Sequence, residues 1–96
     1  MPASPLSGAD ISSRLTSLNG WQHQNGELVR TFQFADFRAS LAFVNRVGDL
    51  AEAAGHHPDI DIRYNKVHLA LVTHDAGGIT TKDFDLAKQI DSVGDA

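Results

Sequence analysis

Apolar positions in this chain switch repeatedly between a helical and a strand period, and the switches mark out seven elements. Ile11, Leu15 and Leu18 lie at helical spacing behind Ser7 and Asp10, a capping-box-like start with Asp in place of the usual Glu. Asn19-Gly20 supplies a stop, so the first helix is expected over Ser7 to Leu18. Trp21 to Gln24 and Glu27 to Phe34 flank Asn25-Gly26, a strong short-range signal for a hairpin. Leu28, Phe32 and Phe34 share one face of its second strand, with Arg30 as the polar exception. Asp36 is placed to cap a long second helix. Its stripe of Phe37, Leu41, Val44, Val47 and Ala51, flanked by Phe43, Leu50 and Ala54, is wide enough to cover a sheet, and Gly55 ends it.

Beyond an abrupt polar exit at His56-His57-Pro58-Asp59, Ile60, Ile62 and Tyr64 alternate with Asp61 and Arg63, as in a half-buried strand. A turn at Asn65 leads into Lys66 to His74, the partner strand. Val67, Leu69, Leu71 and Thr73 face one way there, and His68, Ala70, Val72 and His74 the other. Gly77-Gly78 breaks the chain. Thr80 and Asp83 form a second capping-box pattern, and Phe84, Ala87, Ile90 and Val93 give the stripe of a third helix. The order is α-β-β-α-β-β-α, an α+β fold in which two hairpins make one antiparallel sheet and the helices are available to cover a face. Residues 1–6, where Pro2 and Pro5 bracket small residues, are expected to form a flexible tail, and residues 7–96 a single domain.

Composition narrows the class. Ninety-six residues bury a thin core, which favours self-association, and helices on one sheet face leave Ala70 and Val72 on the other in need of a neighbour. A homo-oligomer is therefore expected. A net charge of −4 argues against a nucleic-acid binder, which would be basic. The absence of cysteine excludes disulfides, thiolate zinc and a cysteine nucleophile. No apolar run is long enough to span a membrane, and the N-terminus lacks the basic and apolar regions of a secretory signal, so a cytoplasmic protein is expected.

Three histidines fall where predicted elements meet loops: His56 and His57 after the long helix, and His74 at the end of the fourth strand. Histidine titrates near neutrality and suits proton exchange with a substrate; a solvated polar turn is the bland alternative. A metal site is disfavoured, because side chains of adjacent residues in an extended segment diverge and no His-x-x-x-His or Cys/His pattern occurs. His23 and His68 lie within strands and read as surface or hydrogen-bonded residues. Asp83 reads as a cap, Glu52 as a helix-surface carboxylate, and Gly77-Gly78 as a turn. No P-loop, Gly-x-Ser-x-Gly elbow or dinucleotide fingerprint is present.

Taken together, Glu52-x3-His56-His57-Pro58-x5-Tyr64-x9-His74-x8-Asp83 resembles the signature of the pterin-4a-carbinolamine dehydratases. Tyr64-Asn65-Lys66-Val67, Thr73-His74, Asp83-x-Asp85-Leu86-Ala87 and Phe34-x-Asp36-Phe37 extend the resemblance over roughly Trp21 to Ile90. Ile60 and Asp61 depart from relatives that carry aromatic residues there, and Asp59 replaces a Glu found in some. The resemblance implies a four-stranded antiparallel sheet with helices on one face, a homodimer or homotetramer, and a hydro-lyase that needs neither metal nor organic cofactor. The implied reaction converts 4a-hydroxytetrahydropterin to quinonoid dihydropterin, recycling the cofactor of an aromatic amino-acid hydroxylase. On this analogy His56 and His74 transfer protons and His57 chiefly binds substrate. Asp83 orients the site through His74, and Glu52, Pro58, Asp59 and Thr73 complete the binding surface. The alternative is a non-catalytic pterin-binding or protein-interaction module on the same fold, the second role being that of a dimerisation cofactor in animal members.

Overall fold

A computed structural model describes residues 4–94. Its elements are α1 (Gly8–Leu15), β1 (Gln22–Gln24), β2 (Glu27–Gln33), α2 (Phe37–Ala54), β3 (Asp59–Arg63), β4 (Lys66–Leu71), a short 3-10 turn (His74–Ala76) and α3 (Thr81–Gly94). The four strands form one antiparallel sheet in the order β1-β2-β4-β3, so the two hairpins meet along β2 and β4. Leu28 and Phe32 of β2 and Val67, Leu69 and Leu71 of β4 are buried on one face against Phe43 and Val47 of α2 and Phe84, Leu86, Ala87 and Ile90 of α3. The expected α+β order, with helices on one side of a four-stranded sheet, is the order observed.

Local chemistry explains most of the boundaries. Asn25 and Gly26 both have positive φ, 52° and 78°, which is the backbone of a type I′ hairpin turn. The Ser7 side chain accepts from the Asp10 amide, and Asp36 accepts from Ala39, so both expected caps form. The first helix is shorter than expected and stops at Leu15. The Thr16 and Ser17 hydroxyls bond back to the Ser13 and Arg14 carbonyls, and a tighter turn of i→i−3 bonds carries Leu18 into the core. Arg30, the polar residue on the inner face of β2, is half-buried. Its Nη1 donates to Asp91 Oδ1 at 2.6 Å, where the Trp21 indole also donates, and its guanidinium lies 4.0 Å from the Phe32 ring centroid.

Five further expectations change. On α2 the buried residues are Ser40, Phe43, Val47 and Ala51, whereas Phe37 and Leu41 are exposed; the helix is rotated toward α3 relative to the widest apolar stripe. Strand β3 is an exposed edge strand rather than a half-buried one, because it pairs with β4 alone and Ile60 has little above it. Strand β4 ends at Leu71; the chain then bends so that His74 opens the 3-10 turn instead of closing the strand. Of the expected tail, residues 1–3 lie outside the described residues. Leu6 is anchored, its amide donating to the Ile79 carbonyl at 2.8 Å and its side chain packing against the core. On the open sheet face Ala70 is already buried within the single chain, and the large exposed apolar side chains are Phe37, Leu41, Ile60 and Tyr64.

Candidate active site

The chain leaves α2 through a left-handed Gly55 at φ 63°, whose amide donates to Glu52 O while the His56 amide donates to Ala51 O. This paired bonding is a Schellman termination, and it fixes the backbone of His56 against the last turn of the helix. Opposite, Thr73 follows β4 and bridges to Gly78, closing the His74–Ala76 turn with Gly77 at φ 79°. A third segment, the start of α3, passes beneath both. Thr80 caps it by accepting from the Lys82 amide, and Asp83 reaches back to the Thr80 amide, so the sequence-predicted capping box forms reciprocally.

These three chain segments bring His56, His57, Thr73 and His74 around one shallow pocket of about 280 Å³, whose lining Gly55, Val72, Asp75 and Lys82 complete. A larger hollow of about 530 Å³ lies on the far side of Val72 and His74, between the β1–β2 turn and Leu6, and contains only His74 of the three histidines. Glu52 stands outside the smaller pocket and reaches it through His57, whose Nε2 donates to Glu52 Oε2 at 2.5 Å in a largely exposed pair. Pro58 and Asp59 lie beyond the lining, where Asp59 starts β3 opposite Ala70.

Asp83 departs from its expected role. It is fully buried, and its Oδ1 accepts from His56 Nε2 at 2.5 Å, so the histidine it orients is His56, not His74. Its Oδ2 accepts from the Thr73 hydroxyl and the Thr80 amide, each at 2.9 Å. The sequence could not separate the two histidines, because His56 lies 27 residues from Asp83 and only the tertiary packing of α2 on α3 brings them together. His74 is exposed and faces solvent across the pocket. Thr73 is where expected, but its hydroxyl is committed to Asp83 and Thr80 inside the fold. Sequence reasoning missed Val72, Asp75 and Lys82 as lining. It treated Thr80 only as a cap, although a Thr–x–x–Asp cap whose Asp is buried can serve a site as well as a helix.

The carboxylate of Asp83 only accepts, so His56 bound to it carries its proton on Nε2. Neutral His56 then holds its lone pair on Nδ1, and the charged ring holds a donor there. The buried carboxylate thus presents a histidine in one defined tautomer, the arrangement by which hydrolytic triads fix a general base. His68 and His23 stand apart: His68 Nδ1 pairs with the Thr31 hydroxyl at 2.9 Å on the open face, and His23 lies on β1. Among the described residues no three His, Asp or Glu side chains converge as metal ligands would.

A family profile described as pterin 4 alpha carbinolamine dehydratase matches residues 4–93, and the chain belongs to that family. It is 59% identical over 91 residues to a Roseiflexus sp. (strain RS-1) protein provisionally named pterin-4-alpha-carbinolamine dehydratase, covering 95% of this chain and 98% of that one. A Chloroflexus aurantiacus protein with the same provisional name is 60% identical over 88 residues, or 92% and 95% of the two chains. Among solved structures, a transcriptional coactivator/pterin dehydratase from Brucella melitensis superposes with a TM-score of 0.91 at 29% identity, over 95% of this chain and 99% of the other. A pterin dehydratase-like protein described as a RuBisCO assembly factor of the alpha-carboxysome shares the fold at a TM-score of 0.63 and 23% identity, over 77% and 86% of the chains. Among the described residues no helix is long and apolar enough to cross a membrane.

Proposed function

We propose that the protein dehydrates 4a-hydroxytetrahydropterin to quinonoid dihydropterin by histidine acid–base catalysis. The observation that carries the proposal is the convergence of three histidines from two distant chain segments on one pocket, with one of them held by a buried carboxylate. In the reaction the C4a–O bond breaks, the 4a-hydroxyl leaves as water with an added proton, and N5 gives up its proton as the C4a=N5 bond forms. One group must donate and another accept. His56, fixed through Nε2 and presenting Nδ1, suits one of these transfers, and His74 on the opposite side of the pocket suits the other. Each such group typically contributes about 10²–10⁴-fold. His57, held by exposed Glu52, binds the pterin; Asp83 acts through His56 as a positioning residue.

The protein acts as a homo-oligomer in this reading, with the exposed Phe37 and Leu41 of α2 and Ile60 of edge strand β3 as the apolar surface a second copy covers. It works in the cytoplasm, supplying recycled pterin to an aromatic amino-acid hydroxylase. The test is to generate the 4a-hydroxy compound with a hydroxylase and follow its ultraviolet decay with and without the protein. The expected result is faster decay that chelator treatment leaves unchanged. Decay at the uncatalysed rate in the presence of folded protein overturns the proposal in favour of a non-catalytic pterin-binding or interaction module.

A further inference from the structure

Asp83, as a carboxylate, can only accept hydrogen bonds, and this fixes the direction of every bond in the buried cluster beside the pocket. The single hydroxyl proton of Thr73 goes to Asp83 Oδ2 at 2.9 Å. The 2.8 Å contact between the Thr73 and Thr80 hydroxyls must then run from Thr80 to Thr73. The Thr80 oxygen, having donated its own proton, accepts the Lys82 amide at 3.2 Å. The Thr80 amide adds a second donor to Oδ2 at 2.9 Å, leaving Oδ1 to the Nε2–H of His56. The result is a one-way chain of donors from the first turn of α3, through two threonines, to the carboxylate that holds the histidine.

We infer that Thr80 is a positioning residue for His56, holding Asp83 in the one orientation that keeps the His56 proton on Nε2 and its Nδ1 free for a substrate. Its kinetic consequence rests on the dehydratase reading above; the tautomer does not. Thr80 is 1% exposed and is absent from the pocket lining, so it reaches the substrate only through its neighbours. Every polar side-chain atom buried among the described residues has a partner, and loss of the Thr80 hydroxyl takes from the Thr73 oxygen the donor it has now. A threonine that merely capped α3 would need its oxygen as an acceptor for Lys82, but not its proton on Thr73. The donated proton is the part of the arrangement that capping leaves unexplained.

The test compares Thr80→Val, which keeps the shape and removes the hydroxyl, with Thr80→Ser, which restores it. In Thr80→Val, kcat for decay of the 4a-hydroxypterin is expected to fall about tenfold with KM little changed, the rate equivalent of about one hydrogen bond. Thr80→Ser is expected to recover most of that loss. The nitrogen-15 signals of the His56 ring supply a readout that helix stability does not move. The wild type should show a protonated Nε2 and an unprotonated Nδ1 at a pH where the ring is neutral, and Thr80→Val should shift both toward tautomeric averaging. A folded Thr80→Val with unchanged kcat and unchanged His56 signals makes the residue a cap alone and overturns the inference. If that variant does not fold, Thr80→Ala, which removes the same hydroxyl, takes its place under the same two outcomes, and a wild-type proton found on Nδ1 overturns the inference outright. Absence of turnover in the wild type overturns the dehydratase reading, while the spectra still decide the role of Thr80.

Discussion

Asp83 Oδ1 lies 2.5 Å from His56 Nε2, so the third helix and the exit from the second are joined at the pocket by a part-buried hydrogen bond. Asp83→Asn tests what this bond does. The amide oxygen is drawn to the Oδ2 position, where Thr73 and Thr80 both donate, and this turns the amide NH2 toward His56. His56 must then accept on Nε2 and carry its proton on Nδ1, the wrong tautomer for a base at that nitrogen. We expect kcat to fall by about 10²–10⁴-fold in a variant that remains folded, the upper end being the loss of about 10⁴ that a forced tautomer produces in a catalytic triad. A wild-type kcat in folded Asp83→Asn assigns Asp83 to capping alone.

Gly55→Ala isolates the turn that delivers His56. A Cβ built at Gly55 meets nothing within 4 Å, so the substitution is strained only through its left-handed backbone at φ 63°. That costs about 1–2 kcal/mol. In a domain of this size each kcal/mol corresponds to a loss of about 4–8 °C in Tm. Thermal unfolding checks it, and an unchanged Tm would mean that the Schellman turn carries no such constraint.

Glu52→Gln addresses the second histidine. With His57 and Glu52 side chains 62% and 78% exposed, the pair contributes little to stability, and Tm should change by no more than the equivalent of about 0.5 kcal/mol. Because Gln cannot supply the charge that holds His57, KM for the pterin should rise while kcat stays close to wild type. A kcat loss with unchanged KM would move His57 from binding to proton transfer.

Sequence periodicity reveals the sheet, its two hairpins and the caps, because each rests on local chemistry: positive φ at Asn25-Gly26, the Ser7 and Asp36 side chains, and the left-handed Gly55. Elements whose limits depend on neighbours were less legible. Helix α1 stops early through the hydroxyls of Thr16 and Ser17, and the apolar stripe of α2 leaves Phe37 and Leu41 outside because α3 occupies only part of its width. The same division holds at the site. Adjacent His56-His57 and the Thr80–Asp83 cap are visible as motifs, whereas the pairing of Asp83 with His56 is a product of helix packing that no spacing encodes.

Self-association is open to direct measurement. Phe37, Leu41 and Ile60 are each about two-fifths exposed in the single chain, with Phe37 at 45% and the other two at 39%. Sedimentation at micromolar concentration is expected to give a dimer or tetramer. Replacing Phe37 and Leu41 together by Glu should shift the distribution toward smaller species, because charge on an apolar contact must be desolvated. A wild-type protein that sediments only as a monomer contradicts the proposed assembly.

The division of labour among the histidines carries the functional account. A single diastereomer of 4a-hydroxytetrahydropterin, followed by its ultraviolet decay with wild type, His56→Ala, His74→Ala and the double variant, tests it most directly. The account predicts a lower kcat for each single variant, by about 10²–10⁴-fold where that histidine serves the diastereomer used. The double variant should decay at a rate near the uncatalysed one. Wild-type kcat in the folded double variant would contradict the account, whatever family the chain belongs to.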